Sequence, residues 1–362
     1  MTLLDAAPEI LDLAAQLGVS AAAPVDGILD FCRSRIDRWV AEARGVTTIS
    51  QLEDLVTLRL QMVFEEIRSD DDFSRITDKY ARGKRDFVFA AMRSKFDDAG
   101  NPTYGTLVRR NVGDDAPDRF VAVIDCRGSK LARRFFTRWH EIAHRLTTHA
   151  DEGSREPAYR SEHDPIERMM DEIAGHVGFY EPFFEPVFGA AHAGKALLTF
   201  ETVKAVLDGG FPEASFQATL NACAKRLPTP VLYLEAMLAH KKAVRRRLAT
   251  PSLFGDEPPP GELRAVKLIP NDAAQEDGFM IPTNMRVPEA SVIHRMFLDE
   301  TAGDGSGRED LSWWESQARK LERRAIAVEA RRVADRVIAI VQPVEPVRQQ
   351  RKETNAHSLF AV

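Results

Sequence analysis

Apolar positions first repeat with a helical period near Val25, where Ile28, Leu29, Cys32, Ile36, Trp39 and Val40 fall on one face. The Ala-rich residues before them are weakly patterned and predict one short helix with a loose end. A second helix is expected after Ser50, a capping-box residue with Glu53 three positions on. Its stripe runs through Leu52, Leu55, Leu58, Leu60, Val63 and Ile67. The charged stretch 68–85 has no clear period. Tyr104 to Arg109 and Arg119 to Asp125 then read as two short strands around a turn-rich segment. Helical spacing returns over Leu131 to Thr148 and over Pro165 to Tyr180, the latter with Asp164 as cap and Pro165 in the first turn.

Three more helices are predicted over roughly 194–207, 212–226 and 231–248. The segment TPSLFGDEPPPG, from Thr250 to Gly261, breaks the pattern, because consecutive prolines cannot donate to a ladder or a helix interior. Beyond it, residues 263–269, 292–298, 325–328 and 337–341 resemble strands, with a helix from Trp313 to about Arg324 between them. The fold class expected is α+β. The expected division is an N-terminal domain over 1–249, a Pro-rich linker over 250–262, a C-terminal α/β domain over 263–345 and a polar tail over 346–362.

Composition narrows the class. The chain has 362 residues, enough for about two domains at ~150 residues each. Its 44% apolar and 29% charged residues suit a buried core and exclude compositional disorder. The longest apolar runs are strand-length, far short of the ~20 residues that span a bilayer, and no signal-peptide pattern opens the chain. Three isolated cysteines, Cys32, Cys126 and Cys223, form no paired spacing, so buried thiols in a reducing cytoplasm are expected. A net charge of -6 argues against a chain coated in base, though local basic patches remain open.

One string carries chemistry: Arg138-Trp139-His140-Glu141-Ile142-Ala143-His144. On a helix, His140 and His144 stand at i and i+4, so both imidazoles can bite one metal ion. Glu141 lies about 100° around the helix, near enough to act as general base without being a ligand. Two neutral nitrogens, a third hard ligand and an open position suit one zinc ion per chain. With 9 His in the chain, chance would supply such a string only about 0.02 times. A metzincin-type continuation fails, because Thr147 and Ala150 stand where Gly and a third His are needed. A Glu from a following helix is the alternative. Glu167 and Asp171 share a face there, Asp171 as a carboxylate partner to a ligand histidine. Glu172 and His176 compete for the third place, although Glu172 is turned from Glu167 by about 140°.

From the strand at Phe120 to Asp125 through a basic loop into Arg133-Arg134-Phe135-Phe136-Thr137-Arg138-Trp139-His140-Glu141-Ile142-Ala143-His144, the chain resembles the ImmA/IrrE metallopeptidases. An R-R-F-T-like helix start leads there into H-E-x-x-H. Their third ligand is a Glu in a small-residue helix ending in Pro, and Ile166 to Gly175 followed by Pro182 is similar, which places that ligand on Glu167. The resemblance covers roughly Tyr104 to Pro182 and departs at Trp139 and at Gly175-His176. It implies a zincin-like domain that cleaves a helix-turn-helix repressor to switch on a stress-response or phage-defence operon. It also implies a GAF-like sensor domain and single-stranded DNA as activator.

The residues themselves offer a basic segment for nucleic acid. Lys241, Lys242, Arg245, Arg246 and Arg247 crowd a predicted helix end, where cations also suit the helix dipole. A second cluster from Arg319 to Arg336 is interleaved with acids. Trp313-Trp314 reads as core rather than as a stacking platform. His149, Tyr159 and His163 are candidates for stabilising an oxyanion, with no basis for choosing one. Two rival functions stand beside the peptidase: a zincin-fold scaffold that binds a regulator without cutting it, which an intact Glu141 disfavours, and a DNA-binding regulator, for which no helix-turn-helix signature stands out.

Overall fold

The computed structural model describes residues 4–82, 86–98, 103–113, 116–148, 164–241, 244, 246, 260–299, 301, 303–315 and 320–344. It is mixed α and β with two sheets and two compact units. The first unit holds Met1–Gly194 and Glu201–Ala222; the second holds Lys195–Phe200 and the chain from Cys223 onward.

In the first unit, α1 (Pro8–Leu17) and α2 (Pro24–Ala43) form as the pattern predicts, with Ile28, Cys32 and Ile36 buried along one face of α2. Helix α3 (Ile49–Arg59) starts earlier than expected, because the Thr48 hydroxyl rather than Ser50 caps it and accepts from the Gln51 N–H. It also ends earlier. Gln61 takes a φ of 53° and turns the chain, so the end of the stripe, Val63 and Ile67, belongs to a strand, β1 (Met62–Ile67). Helices α4 (Asp70–Thr77) and α5 (Met92–Phe96) occupy the stretch that had no clear period and its surroundings.

Strands β2 (Gly105–Arg109) and β3 (Phe120–Asp125) complete a sheet in the order β1-β3-β2, with β1 parallel and β2 antiparallel to a fully buried β3. Register divides the faces. Val63, Ile67, Val108, Val121 and Val123 pack with Phe73, Ile76, Tyr80, Phe89, Met92 and Phe96. By alternation, Phe64, Glu66, Gly105, Leu107, Arg109, Phe120, Ala122 and Ile124 occupy the opposite face, where α6 (Arg134–Thr147) packs. Helix α7 (Pro165–Gly178) packs against α6. Helix α8 (Glu181–His192), with Pro186 inside it, was not foreseen; α9 (Phe200–Gly210) and α10 (Phe216–Lys225) follow near their expected places.

The second unit is built on five strands: β4 (Leu232–Ala239), β5 (Glu262–Pro270), β6 (Asp304–Asp310), β7 (Ala325–Val333) and β8 (Arg336–Pro343). All neighbours are antiparallel, in the order β5-β4-β8-β7-β6. Two short helices, α11 (Asp272–Asp277) and α12 (Val292–Leu298), accompany the sheet. Helix α12 lies against β6 because Gly305 and Gly307 leave room: a Cβ there would meet Met296 Cγ at 3.0 Å and Val292 Cγ2 at 2.8 Å.

Four expectations are corrected. The helix expected over 231–248 is strand β4, where Leu232, Leu234 and Ala236 alternate into the core although Leu, Glu, Ala and Met favour helices singly. The strand expected over 292–298 is α12, started by the Ser291 hydroxyl accepting from the Ile293 N–H. Of the helix expected from Trp313 to about Arg324, the described residues form a 3-10 turn over Leu311–Trp313 and no helix beyond it, while residues 316–319 lie outside the described residues. The Pro-rich segment does not divide the units, since β4 and β5 on either side of it pair with each other. Prolines exclude a ladder there, but a connection between paired strands needs none. Residues 251–259 and the tail lie outside the described residues.

Candidate metal centre

Helix α6 earns its position from one buried face: Phe135, Trp139, Ile142, Ala143 and Leu146 recur at helical spacing and all are buried. That burial turns His140 and His144 toward α7. The Asp164 side chain caps α7, accepting from the Ile166 N–H at 2.8 Å, and Pro165 opens the helix. Glu167 thereby sits in the first turn, and Asp171 one turn later on the same face. The helices can approach closely because Gly178 has no side chain: a Cβ there would lie 2.9 Å from Trp139 Cγ. The unusual Trp139 is therefore the core residue against which α7 is set.

The donor atoms converge. His140 Nε2 lies 3.2 Å from His144 Nε2 and 3.2 Å from Glu167 Oε2, and His144 Nε2 lies 3.6 Å from Glu167 Oε2. Bonds of ~2.0–2.1 Å to a tetrahedral ion put ligand atoms about 3.3 Å apart, so these three atoms have the spacing of one face of such a tetrahedron. Among the described residues this is the group of His, Cys and carboxylate ligands able to hold a metal, and neither Glu172 nor His176 is part of it. His140 Nδ1 lies 2.8 Å from Asp171 Oδ1, which holds the ring with Nε2 facing the other donors.

The carboxylates of Glu167 and Asp171 favour positive charge on the histidine rings beside them. Burial opposes charge on His140, yet hydrogen bonds to Asp171 and Glu167 outweigh it and raise its pKa to about 10. Burial likewise opposes charge on Glu167, but the two histidines hold its carboxyl well below the usual range. Glu141 is 4% exposed, and burial raises its pKa. Its carboxylate lies under the first residue of edge strand β2, where a Cβ on Gly105 would come within 2.5 Å of Oε1 and 2.7 Å of Thr137 Cγ2. Gly105 was not singled out by sequence, since a glycine opening a strand carries no chemical signature. Behind the helix, Arg138 pairs with Glu53 and lies 3.7 Å from Glu66.

Lys241 and Arg246 are exposed, while Lys242, Arg245, Arg247, His149, Tyr159 and His163 lie outside the described residues. In the second arginine cluster, Arg324, Arg331 and Arg336 pair with Asp277, Asp304 and Glu235. Trp314 is core, but Trp313 is 42% exposed. Cys32, Cys126 and Cys223 are all buried. Among the described residues no helix is long and apolar enough to cross a membrane. No protein-family model matches the chain, and no curated protein matches it.

Proposed function

We propose that this chain is a zinc-dependent endopeptidase. The observation that carries the reading is the convergence of His140, His144 and Glu167 on one point, with a buried carboxylate, Glu141, one residue along the helix. Burial raises the pKa of this carboxylate, which suits a group that must take up and give back a proton.

Zinc bound by the three side chains would supply Lewis acidity and make water a better nucleophile near neutral pH. The chain's own residues do the rest. Asp171 fixes the His140 ring, and Glu141 accepts a proton from the attacking water and passes it to the leaving amine. Edge strand β2, which no described strand pairs on its outer side, offers backbone groups to an extended peptide beside Glu141. Under this reading the first unit is zincin-like. The five-stranded antiparallel sheet with its accompanying helices supports a GAF-like sensor role for the second unit.

The proposed substrate, a helix-turn-helix repressor of a stress or phage-defence operon, rests on the ImmA/IrrE resemblance, as does single-stranded DNA as activator. Elemental analysis tests the metal assignment. Close to one zinc per chain is expected, lost in His140→Ala or His144→Ala and weakened less in Glu167→Gln, whose amide keeps an oxygen. Full zinc occupancy in either histidine variant would overturn the assignment.

A further inference from the structure

The stretch from Arg127 to Arg134, which leads from β3 into α6, carries four cations, and acids hold three of them. Arg127 Nη2 lies 2.9 Å and Lys130 Nζ 2.6 Å from Asp125 Oδ2. Arg134 pairs with Glu66 and Glu213. Arg133 is the exception. It is exposed, and among the described residues no carboxylate or carbonyl accepts from its guanidinium. It is nevertheless held in place. Its guanidinium carbon lies 3.9 Å from the Tyr104 ring centroid, the distance of a planar cation stacked on an aromatic face.

The helix sets where that cation stands. Arg133 precedes α6 with α-region dihedrals, φ -95° and ψ -4°, so the helical phase runs back to it. Arg133, Thr137, His140 and His144 then follow one another at spacings of four, three and four, a single line along α6. A rise of ~1.5 Å per residue places Arg133 about 10 Å along that line from His140. The strand beside it agrees. Tyr104, on which Arg133 stacks, immediately precedes Gly105, and Gly105 stands over Glu141 Oε1 and Thr137 Cγ2. The Tyr104 carbonyl accepts from the Asp125 N–H at 2.8 Å, which ties its backbone to the sheet.

A guanidinium held on a ring, beside the edge strand and in line with the metal-facing histidines, is built to read an acid. Stacking covers one face of the guanidinium and leaves its N–H edge to match a planar carboxylate. Because the side chain is already ordered, it loses less freedom when it binds. A peptide extended beside β2 covers about 10 Å in three residues at ~3.3 Å each. Resting on the peptidase reading, we infer that Arg133 and Tyr104 form a specificity subsite. It receives an Asp or Glu side chain of the substrate about three residues from the scissile bond.

The test uses two sets of short peptides, degenerate in uncharged residues except for one fixed Glu or one fixed Gln placed at each position in turn. Their C-termini are amidated, so that side chains supply the carboxylates compared. Binding is read on zinc-loaded Glu141→Gln protein, and cleavage on the zinc-loaded wild type with cut sites assigned by mass spectrometry. The expected result is an advantage of about fivefold for Glu over Gln in both, placed about three residues from the cut. Adding Arg133→Gln, at an exposed position where the fold tolerates change, should bring that ratio to near one. Adding Tyr104→Leu, which keeps the cation but removes the ring beneath it, should bring the ratio to about twofold. Equal binding of the two sets, no binding of either, a ratio unchanged in either variant, or acids favoured elsewhere would overturn the subsite. A Glu advantage in binding that Arg133→Gln removes, with no peptide cut by the wild type, would instead overturn the peptidase reading and leave the acid site standing.

Discussion

Replacing Gly105 with Ala tests the placement of Glu141 through a single methyl group. The backbone at this position is ordinary strand, so the effect is one of space. The new Cβ would stand 2.5 Å from Glu141 Oε1 and 2.7 Å from Thr137 Cγ2, whereas ordinary contact begins at 3.4 Å. The carboxylate must therefore retreat by about 1 Å, a misplacement that costs a reacting group on the order of a hundredfold in rate. Overpacking against Thr137 adds a stability loss of about 1–3 kcal/mol. Peptide cleavage, zinc content and thermal melting together separate the two effects. Gly105→Ala should keep its zinc, melt somewhat earlier and lose about two orders of magnitude in kcat/KM. Adding Thr137→Ser removes the second contact and should restore melting without restoring cleavage. A folded Gly105→Ala that cleaves within a factor of about two of wild type would refute the claim that β2 sets the position of Glu141.

Three further outcomes follow from the same geometry. Asp171→Ala releases His140 Nδ1 and should lower zinc affinity by about 10–100-fold in chelator competition, with Asp171→Asn intermediate; affinity equal to wild type would remove Asp171 from the centre. Burial pushes the Glu53 carboxyl up to about 7, with the Arg138 guanidinium pulling the other way. Between its ordinary 4.5 and about 7 this acid is protonated when folded and ionised when unfolded, so its contribution to stability falls as pH rises through that window. Melting curves across it should slope less in Glu53→Gln, and an unchanged slope would contradict this. The metal-content series on His140, His144 and Glu167 completes the set.

What could be read from the sequence depended on whether one local rule sufficed. Strand β3 alternates between two turn-rich flanks, and α7 carries its own cap and opening proline, so both appear close to their expected bounds. Strand β4 and helix α12 were exchanged in type because short apolar runs of either kind look alike until their partners are known. For β4 the deciding partners are β5 and β8, which flank it in the sheet and both lie later in the chain. In the site, His140, His144, Glu167 and Asp171 were legible because each pair obeys the i, i+4 geometry of one helix. Gly105 was not, since it meets Glu141 only through the sheet register and the packing of α6 on the sheet.

The most direct measurement of the central claim compares zinc-loaded wild type with zinc-loaded Glu141→Gln on one pool of short degenerate peptides. The amide keeps the shape of the side chain and cannot accept the proton of the attacking water. The account predicts equal zinc content and equal folding in the two proteins, with cleavage by the variant reduced about a thousandfold or more. Cleavage by Glu141→Gln at the wild-type rate would contradict the account.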